Sequence, residues 1–287
     1  MSSAPRSRIP AVAGRSGWPW TTTPLRNPSS AGDWPRISVV TPAFNHAEFL
    51  EATLRSVLLQ DYPNLEYLVI DGGSSDGSRA ILERYSEHID YWVSEPDRGQ
   101  SDAINKGLRR ASGQIVAWLN SDDTYLPGAL HAIGRLFRER SDVDWVAGQC
   151  VMRRKGTPDE TRAPCVDAAI SRWLYVSQVL QPACFWRKHL HDAVGYLDES
   201  LHYTMDRELF IRFRLHGVKP HRLDEPLAAF LFHAGNKSVL APNGFRRESL
   251  GTVMRRYFLR IPPRERLGVL RVVAAAAVSR ASRLLSR

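Results

Sequence analysis

Ile115-Val116-Ala117-Trp118-Leu119-Asn120-Ser121-Asp122-Asp123 reads as a strand that ends on acid. Five apolar residues in a row match a short buried strand, and the run stops at two adjacent carboxylates that no ordinary turn requires. Such a pair at a strand end suits a hard divalent cation, Mg²⁺ or Mn²⁺, which keeps open positions for phosphate oxygens. Ser and Asp also cap helices, so the same residues read alternatively as an N-cap ahead of Pro127.

Upstream, the period alternates. Ile37-Ser38-Val39-Val40 is a β-rich run that Thr41-Pro42 is expected to stop, and Glu48 to Gln60 sets Phe49, Ala52, Leu54, Val57 and Leu58 mostly on one helical face. Leu65 to Ile70 is again strand-like. The Gly-rich turn Asp71-Gly72-Gly73-Ser74-Ser75-Asp76-Gly77 follows, in which Ser75 or Asp76 can cap a helix running to Tyr85. This β-α-β-α order predicts an α/β fold with a largely parallel sheet, whose ligands bind beyond the carboxyl ends of the strands. The polar turns after Val40, Ile70 and Leu119 should then meet on one edge.

Composition narrows the function. The chain has 287 residues, 43% of them hydrophobic, enough for a sizeable core. Cys150, Cys165 and Cys184 are odd in number and lack metal-type spacing, which fits reduced, buried thiols in a cytosolic compartment. The net charge of +9 is unevenly placed: residues 246–287 hold eleven Arg and two Glu, residues 1–35 hold four Arg and one Asp, and residues 36–245 sum to −3. A mildly acidic centre argues against nucleic acid as a partner. The first 35 residues, rich in Ser, Pro, Gly and Trp, read as a disordered or loosely docked extension, with no secretory core segment and no stretch of membrane-spanning length.

Four motifs in order then carry a resemblance: Thr41-Pro42-Ala43-Phe44-Asn45, Val69 to Gly77, Glu95-Pro96-Asp97-Arg98-Gly99-Gln100-Ser101-Asp102-Ala103-Ile104-Asn105-Lys106-Gly107, and Trp118 to Asp123. Over residues 36–240 the chain resembles glycosyltransferase family 2, and within it the bacterial enzymes that build O-antigen and exopolysaccharide repeat units. The resemblance implies a GT-A fold, Rossmann-like with helices flanking a mostly parallel sheet, over residues 36–245. It also implies a nucleotide-sugar donor, with a UDP-sugar first in line, and inversion at the anomeric carbon.

By that resemblance Thr41, Pro42, Phe44 and Asn45 cradle base and ribose, and Asp71 reads the base by accepting a uracil or thymine imide N–H. Gly99, Gln100, Ser101, Asp102 and Asn105 line the donor pocket, with Arg98 or Lys106 adding charge toward the diphosphate. Asn120 replaces the first acid of the family's metal motif, leaving Asp122 as the preferred ligand, Asp123 assisting, and His233 of Phe232-His233-Ala234-Gly235-Asn236-Lys237-Ser238 beside the cation or the diphosphate. Asp206 in Tyr203-Thr204-Met205-Asp206-Arg207-Glu208 is the expected general base, with Glu208 its rival. Trp186 is a candidate for stacking on a sugar, or else a core residue. No processive-synthase Gln-x-x-Arg-Trp signature occurs, so one sugar per acceptor is expected.

Residues 246–287 form an Arg-rich amphipathic helical tail, with Val269-Leu270 and Val272 through Val278 apolar and Arg266, Arg271, Arg280, Arg283 and Arg287 around them. Such a helix suits an anionic membrane surface, or packs on the domain with its Arg face in water. The expected protein is thus a cytoplasmic enzyme, peripheral on the inner face of the cell membrane, acting on a glycan or lipid-linked acceptor. Two other classes fit parts of the sequence: a sugar nucleotidyltransferase, which should carry a Gly-rich basic loop that Thr41 to His46 lacks, and a non-catalytic binder of anionic partners.

Overall fold

Side chains along a strand alternate between faces, and here the alternation sorts the apolar residues into two cores. The computed structural model describes residue 9 and residues 12–21, 33–165, 169–174 and 178–271. Val39, Tyr67, Val69, Ile115 and Ala117 enter one core; Val40, Leu68, Ile70, Val116 and Trp118 enter the other. The strands are β1 Ile37–Ala43, β2 Leu65–Asp71, β3 Tyr91–Ser94, β4 Ile115–Trp118, β5 Thr124–Tyr125, β6 Trp145–Arg154, β7 Glu160–Ala163, β8 Cys184–Arg187 and β9 His221–Phe232. The sheet order is β3-β2-β1-β4-β8-β6-β9-β5, with β7 on β6.

From β3 to β4 every pairing is parallel, as the alternating pattern predicts. Beyond β4 the sheet becomes mixed: β8 runs antiparallel to β4 and β6, and β9 parallel to β6. Helices α1 Ala47–Leu58, α2 Ser78–Tyr85 and α4 Ala129–Glu139 fill the first core. The second holds α3 Gln100–Arg110, α5 Ile170–Trp173, α6 Leu190–Val194 and α7 Met205–Leu215. Gly107 lets α3 lie against β1, because a Cβ there would stand 2.3 Å from a Val40 methyl.

One expectation changes. β1 runs through Thr41-Pro42 to Ala43 instead of stopping at Val40. Pro42 is paired only with β2, because β4 leaves the register at Val40, so its missing N–H forfeits no ladder bond on the far side. Of the two readings open for the Arg-rich stretch after 245, a membrane face or packing on the domain, the described part packs on the domain. Val253, Met254, Tyr257, Ile261 and Val269 are buried in the second core, while Val272 through Arg287 lie outside the described residues. Both acids of this stretch dock it: Glu248 accepts backbone N–H groups of residues 202–204, and Glu265 accepts from Ser171 N at 3.0 Å.

At the other end, residues 12–21 sit against α1. Buried Arg55 donates to Pro19 O and Trp20 O, both at 3.0 Å, and Trp18 Nε1 donates to Tyr125 O at 2.7 Å. Cys150, Cys165 and Cys184 are buried free thiols, as their spacing suggests. Among the described residues no helix is long and apolar enough to cross a membrane.

Candidate active site

Because β1, β2, β3 and β4 are parallel, their carboxyl ends Ala43, Asp71, Ser94 and Trp118 open onto one edge of the sheet. The loops there are stitched to one another. Asn45, held at φ 50°, accepts from Ser75 N at 2.9 Å while its own N–H donates to Ser74 Oγ at 2.8 Å. Asp76 accepts from Ala47 N at 2.8 Å and caps α2 through Ser78. Gly72 lets the Asp97 carboxylate approach the loop closely: a Cβ there would stand 2.5 Å from it and displace that side chain.

Asp71 is fully buried. Its carboxylate accepts from the Ser74 N–H at 2.9 Å, from the Ser74 hydroxyl, and from Ser94 Oγ at 2.6 Å. These bonds hold the Gly-rich loop, so a base would reach Asp71 only through a local exchange of partners. Thr41 is likewise buried, in contact with Tyr67 OH at 3.0 Å, and Pro42 is buried beside it. Phe44, 58% exposed, is the apolar surface that β1 presents at the edge.

The acid loop after β4 divides its labour. Asp123 is fully buried and accepts from Leu231 N at 3.2 Å and from Asn120 Nδ2 at 3.3 Å. Burial, and secondarily the neighbouring Asp122 charge, push its carboxyl well above the usual range. Asp123 therefore ties β9 to the loop and does not present itself as a ligand. The departure at Asn120 follows: an amide donates to this buried carboxyl, whereas an ionised acid would set a like charge against it.

Asp122 stays partly exposed. Its Oδ2 is 3.0 Å from His233 Nε2 and 3.1 Å from Asn236 Nδ2. The His233 ring leans on Phe49 at 4.3 Å between centroids and meets the edge of His46, whose Nδ1 lies 2.8 Å from Ser121 Oγ. Asp122 and His233, 111 residues apart, thus converge as a carboxylate and an imidazole, the pair in this site suited to hold a cation. Among the described residues no group of three or more His, Cys, Asp or Glu side chains forms a complete cage.

At the start of α3 the structure redistributes the expected roles. Asn105 is fully buried, donating to Leu197 O at 2.9 Å and Glu199 Oε1 at 3.0 Å and accepting from Leu197 N at 3.0 Å. Ser101 donates to Leu201 O at 3.2 Å, and Asp102 accepts from Arg98 N at 3.0 Å. These three fasten residues 197–201 and the first turn of α3. Arg98 pairs with Asp102 and Glu199, and Lys106 with Glu95, ion pairs with solvent-exposed members in Arg98 and Glu95.

Gln100, next to Gly99, does face the acid loop. It donates to Asn120 Oδ1 at 2.8 Å and accepts from Lys237 Nζ at 2.7 Å. Lys237 opens the short helix α8, Lys237–Leu240, one residue after Asn236. Crowding by protein lowers its ammonium pKa, against the carboxylates of Glu248, Asp122 and Asp97. Lys237 thus stands beside the acid loop, bonded to Gln100.

On the opposite side, α7 carries Asp206 and Glu208 on different faces, and their environments separate them. Glu208 is buried and held by Arg212 Nη2 at 2.8 Å and by the Tyr257 hydroxyl. Asp206 is partly exposed and accepts only from Arg207 N, at 2.7 Å, among the described residues. Burial of its carboxyl raises the pKa despite that bond and the Arg207 charge, which moves it toward the working range of a general base. Arg207 itself is buried over the Phe245 ring at 5.0 Å, with Nε and Nη1 unpartnered and its pKa lowered by burial. The start of α7 is clamped by Glu248, whose carboxylate accepts from His202 N, Tyr203 N, Thr204 N and Thr204 Oγ1 at 2.7–2.9 Å.

Trp186 belongs to the core. It is fully buried, donates Nε1 to His191 Nε2 at 3.0 Å, and packs among Trp118, Phe210 and Phe213. Asn236, Lys237, His46 and Glu248 are the site residues to which the sequence reading assigned no role. The first two sit inside a quoted motif. Glu248 has its own signal, being one of two acids in an Arg-rich run.

The family model described as Glycosyl transferase family 2 matches residues 38–196, more than half of the chain. A putative teichuronic acid biosynthesis glycosyltransferase, TuaG of Bacillus subtilis, is 38% identical over 127 residues, covering 43% of this chain and 50% of that one. An uncharacterized glycosyltransferase of Mycobacterium tuberculosis is 31% identical over 236 residues, covering 75% of this chain and 88% of that one. Two solved structures share the fold. TarS 1–349 of S. aureus in complex with UDP-GlcNAc superposes with a TM-score of 0.63 at 22% identity, over 78% of this chain and 66% of that chain. The mannosyltransferase PcManGT of Pyrobaculum calidifontis, in complex with GDP-Man and Mn²⁺, gives 0.59 at 20% identity, over 88% and 79%. The chain belongs to glycosyl transferase family 2 and is a glycosyltransferase.

Proposed function

We propose that this glycosyltransferase moves one sugar per acceptor from a nucleoside-diphosphate sugar, a UDP-sugar first among them, to a hydroxyl of a glycan or lipid-linked acceptor in cell-surface polysaccharide synthesis, inverting the anomeric carbon. The observation that carries the reading is a pair of unlike polar groups, one at the end of β4 and one at the start of α7. Asp122, His233, Asn236 and Lys237 gather at the end of β4, and Asp206, raised in pKa and free of a cationic hydrogen-bond partner among the described residues, stands at the start of α7. The biosynthetic name of the Bacillus relative and the nucleotide sugars bound by the two solved neighbours support the substrate class.

In this reading the acceptor oxygen attacks the anomeric carbon as the bond from that carbon to the β-phosphate oxygen breaks. Asp206 takes the hydroxyl proton, and the nucleoside diphosphate leaves with the bonding pair. Lys237, tethered by Gln100, sets positive charge beside the developing charge on the phosphates. Phe44 offers its exposed ring to the base.

A divalent cation fits the donor set: one carboxylate oxygen and one imidazole nitrogen lie 3.0 Å apart, and only two protein ligands leave coordination positions for phosphate oxygens. His233 would ligate through Nε2 by holding its proton on Nδ1, which gives up the 3.2 Å bond from Gly235 N and replaces the Nε2 contact to Asp122 with shared ligation. When bound, the ion offsets charge on the departing diphosphate, an effect generally worth several kcal/mol.

The test is release of free nucleoside diphosphate from a panel of UDP-, GDP- and dTDP-sugars, with and without Mn²⁺, Mg²⁺ and a chelator. Metal-dependent release from at least one donor, lost in Asp206→Asn, is expected. Release of pyrophosphate from a sugar phosphate and a nucleoside triphosphate would instead make the chain a nucleotidyltransferase.

A further inference from the structure

The C-terminal stretch has two faces. The inner face grips α7: Glu248 holds residues 202–204, Ser249 meets the Arg207 guanidinium, and Tyr257 donates to Glu208. The outer face is unlike the rest of the surface. Five large hydrophobic side chains stand more than half exposed among the described residues, and three of them lie within twelve residues here: Leu259 at 74%, Leu267 at 58% and Leu270 at 52%. Leu259 and Leu270 line a groove of about 410 Å³ together with Leu250, Met254, Arg255, Phe258 and Val269.

Charge accompanies the apolar patch. Residues 254–271 hold six Arg and one Glu. Arg256 is committed to Asp198 and Arg266 to backbone carbonyls. Arg255, Arg264 and Arg271 are exposed, and no salt bridge engages them among the described residues. Leucines projecting beside unpaired arginines match a surface that is apolar a few ångströms deep and negatively charged at its rim, which is the profile of an anionic bilayer.

We propose that the outer face of residues 254–271 docks the enzyme on an anionic lipid surface, with leucines in the acyl boundary and arginines on the head groups. Because the inner face of the same stretch clamps the helix bearing Asp206, docking fixes the start of α7 relative to the bilayer. This rests on the reading that the acceptor is lipid-linked, and it names where that acceptor is met.

Sedimentation of the full chain with extruded vesicles separates the outcomes. Binding to phosphatidylglycerol vesicles and not to phosphatidylcholine vesicles is expected, weakening as salt rises. The triple variants Leu259→Ser, Leu267→Ser, Leu270→Ser and Arg255→Gln, Arg264→Gln, Arg271→Gln should each lower partitioning by about 100-fold. Both should keep wild-type release of nucleoside diphosphate in vesicle-free solution, which also shows that they fold. Three outcomes overturn the proposal: no binding to anionic vesicles; wild-type binding by both variants, with loss in Val272→Asp, Val273→Asp locating the anchor elsewhere; or a dimer that the leucine variant abolishes while vesicle binding persists. Vesicle binding by a chain that releases no nucleoside diphosphate from any donor would refute the catalytic reading and leave the docking face standing.

Discussion

The two sides of the candidate site are built on different principles. On the side formed by β1 to β4, each of four buried or loop acids has one partner close in sequence, Asp71 with Ser74, Asp76 with Ser78, Asp102 with Arg98 and Asp123 with Asn120, and long-range bonds such as Asp71 to Ser94 and Asp123 to Leu231 are added to these. On the side formed by α7, support comes from far along the chain, with Glu248 holding Thr204 across 44 residues and Tyr257 holding Glu208 across 49. The first side combines motif-local bonds with ties to β9 and the residues after it, whereas the start of α7 has its backbone held by the C-terminal stretch. Changes on the first side should therefore act on donor and cation binding, and changes on the second on turnover and on coupling to the C-terminal stretch.

Asp206→Asn is the strongest probe of the second side. It should lower kcat by about 10² to 10⁴-fold with little change in donor affinity. The pH dependence has a definite sign. A base must be deprotonated, so activity should fall with acid through a pKa above the ordinary aspartate value. The same raised pKa means that ionised Asp206 disfavours the folded state above its unfolded pKa, so the Asn variant should melt no lower than wild type at neutral pH. A lower Tm with retained turnover would make Asp206 a structural cap.

Asp122→Asn tests the first side. With one of two convergent ligands weakened, turnover should drop by about 100-fold and the Mn²⁺ or Mg²⁺ concentration for half activity should rise, measured by metal titration. Unchanged metal response would remove Asp122 and His233 from the cation.

Glu248→Ala addresses the clamp itself. Loss of a shared acceptor for three backbone N–H groups and a hydroxyl should cost about 2 kcal/mol of stability by denaturant titration. It should also lower kcat by about tenfold while leaving the donor Kd unchanged. Equal effects on kcat and donor Kd would erase the contrast between the two sides. The smallest effect belongs to Asn120→Asp, which sets a second acid against buried Asp123 and should destabilise by about 1 kcal/mol without altering the acceptor KM, seen as a lower urea midpoint.

The sequence was a good guide to the first side because local rules govern it. Period-two and helical spacing place β1, α1, β2 and α2, and short-range Asx and Ser contacts shape their loops. The same locality explains the misplacements. Asp102 and Asn105 stand in a motif whose residues resemble donor contacts, yet Asn105 is consumed by Leu197 and Glu199, more than ninety positions away, and Asp102 by the neighbouring Arg98. Nothing in the spacing of residues 95–107 reveals that loop 197–201 returns to them.

By itself, then, the sequence determined the parallel βαβ half, the shared edge of its strands and the acid loop, because these follow from residue type and short-range periodicity, while the resemblance of its motifs pointed to the glycosyltransferase family. Tertiary structure alone decided which acid was spent and which was free. It buried Asp123 and Glu208 against partners and left Asp122 and Asp206 partly exposed, joined His233 to Asp122, and brought Lys237 beside Gln100. The physical reason is that a carboxylate's role is set by its dielectric surroundings and its partners, and those are assembled from residues a hundred positions apart.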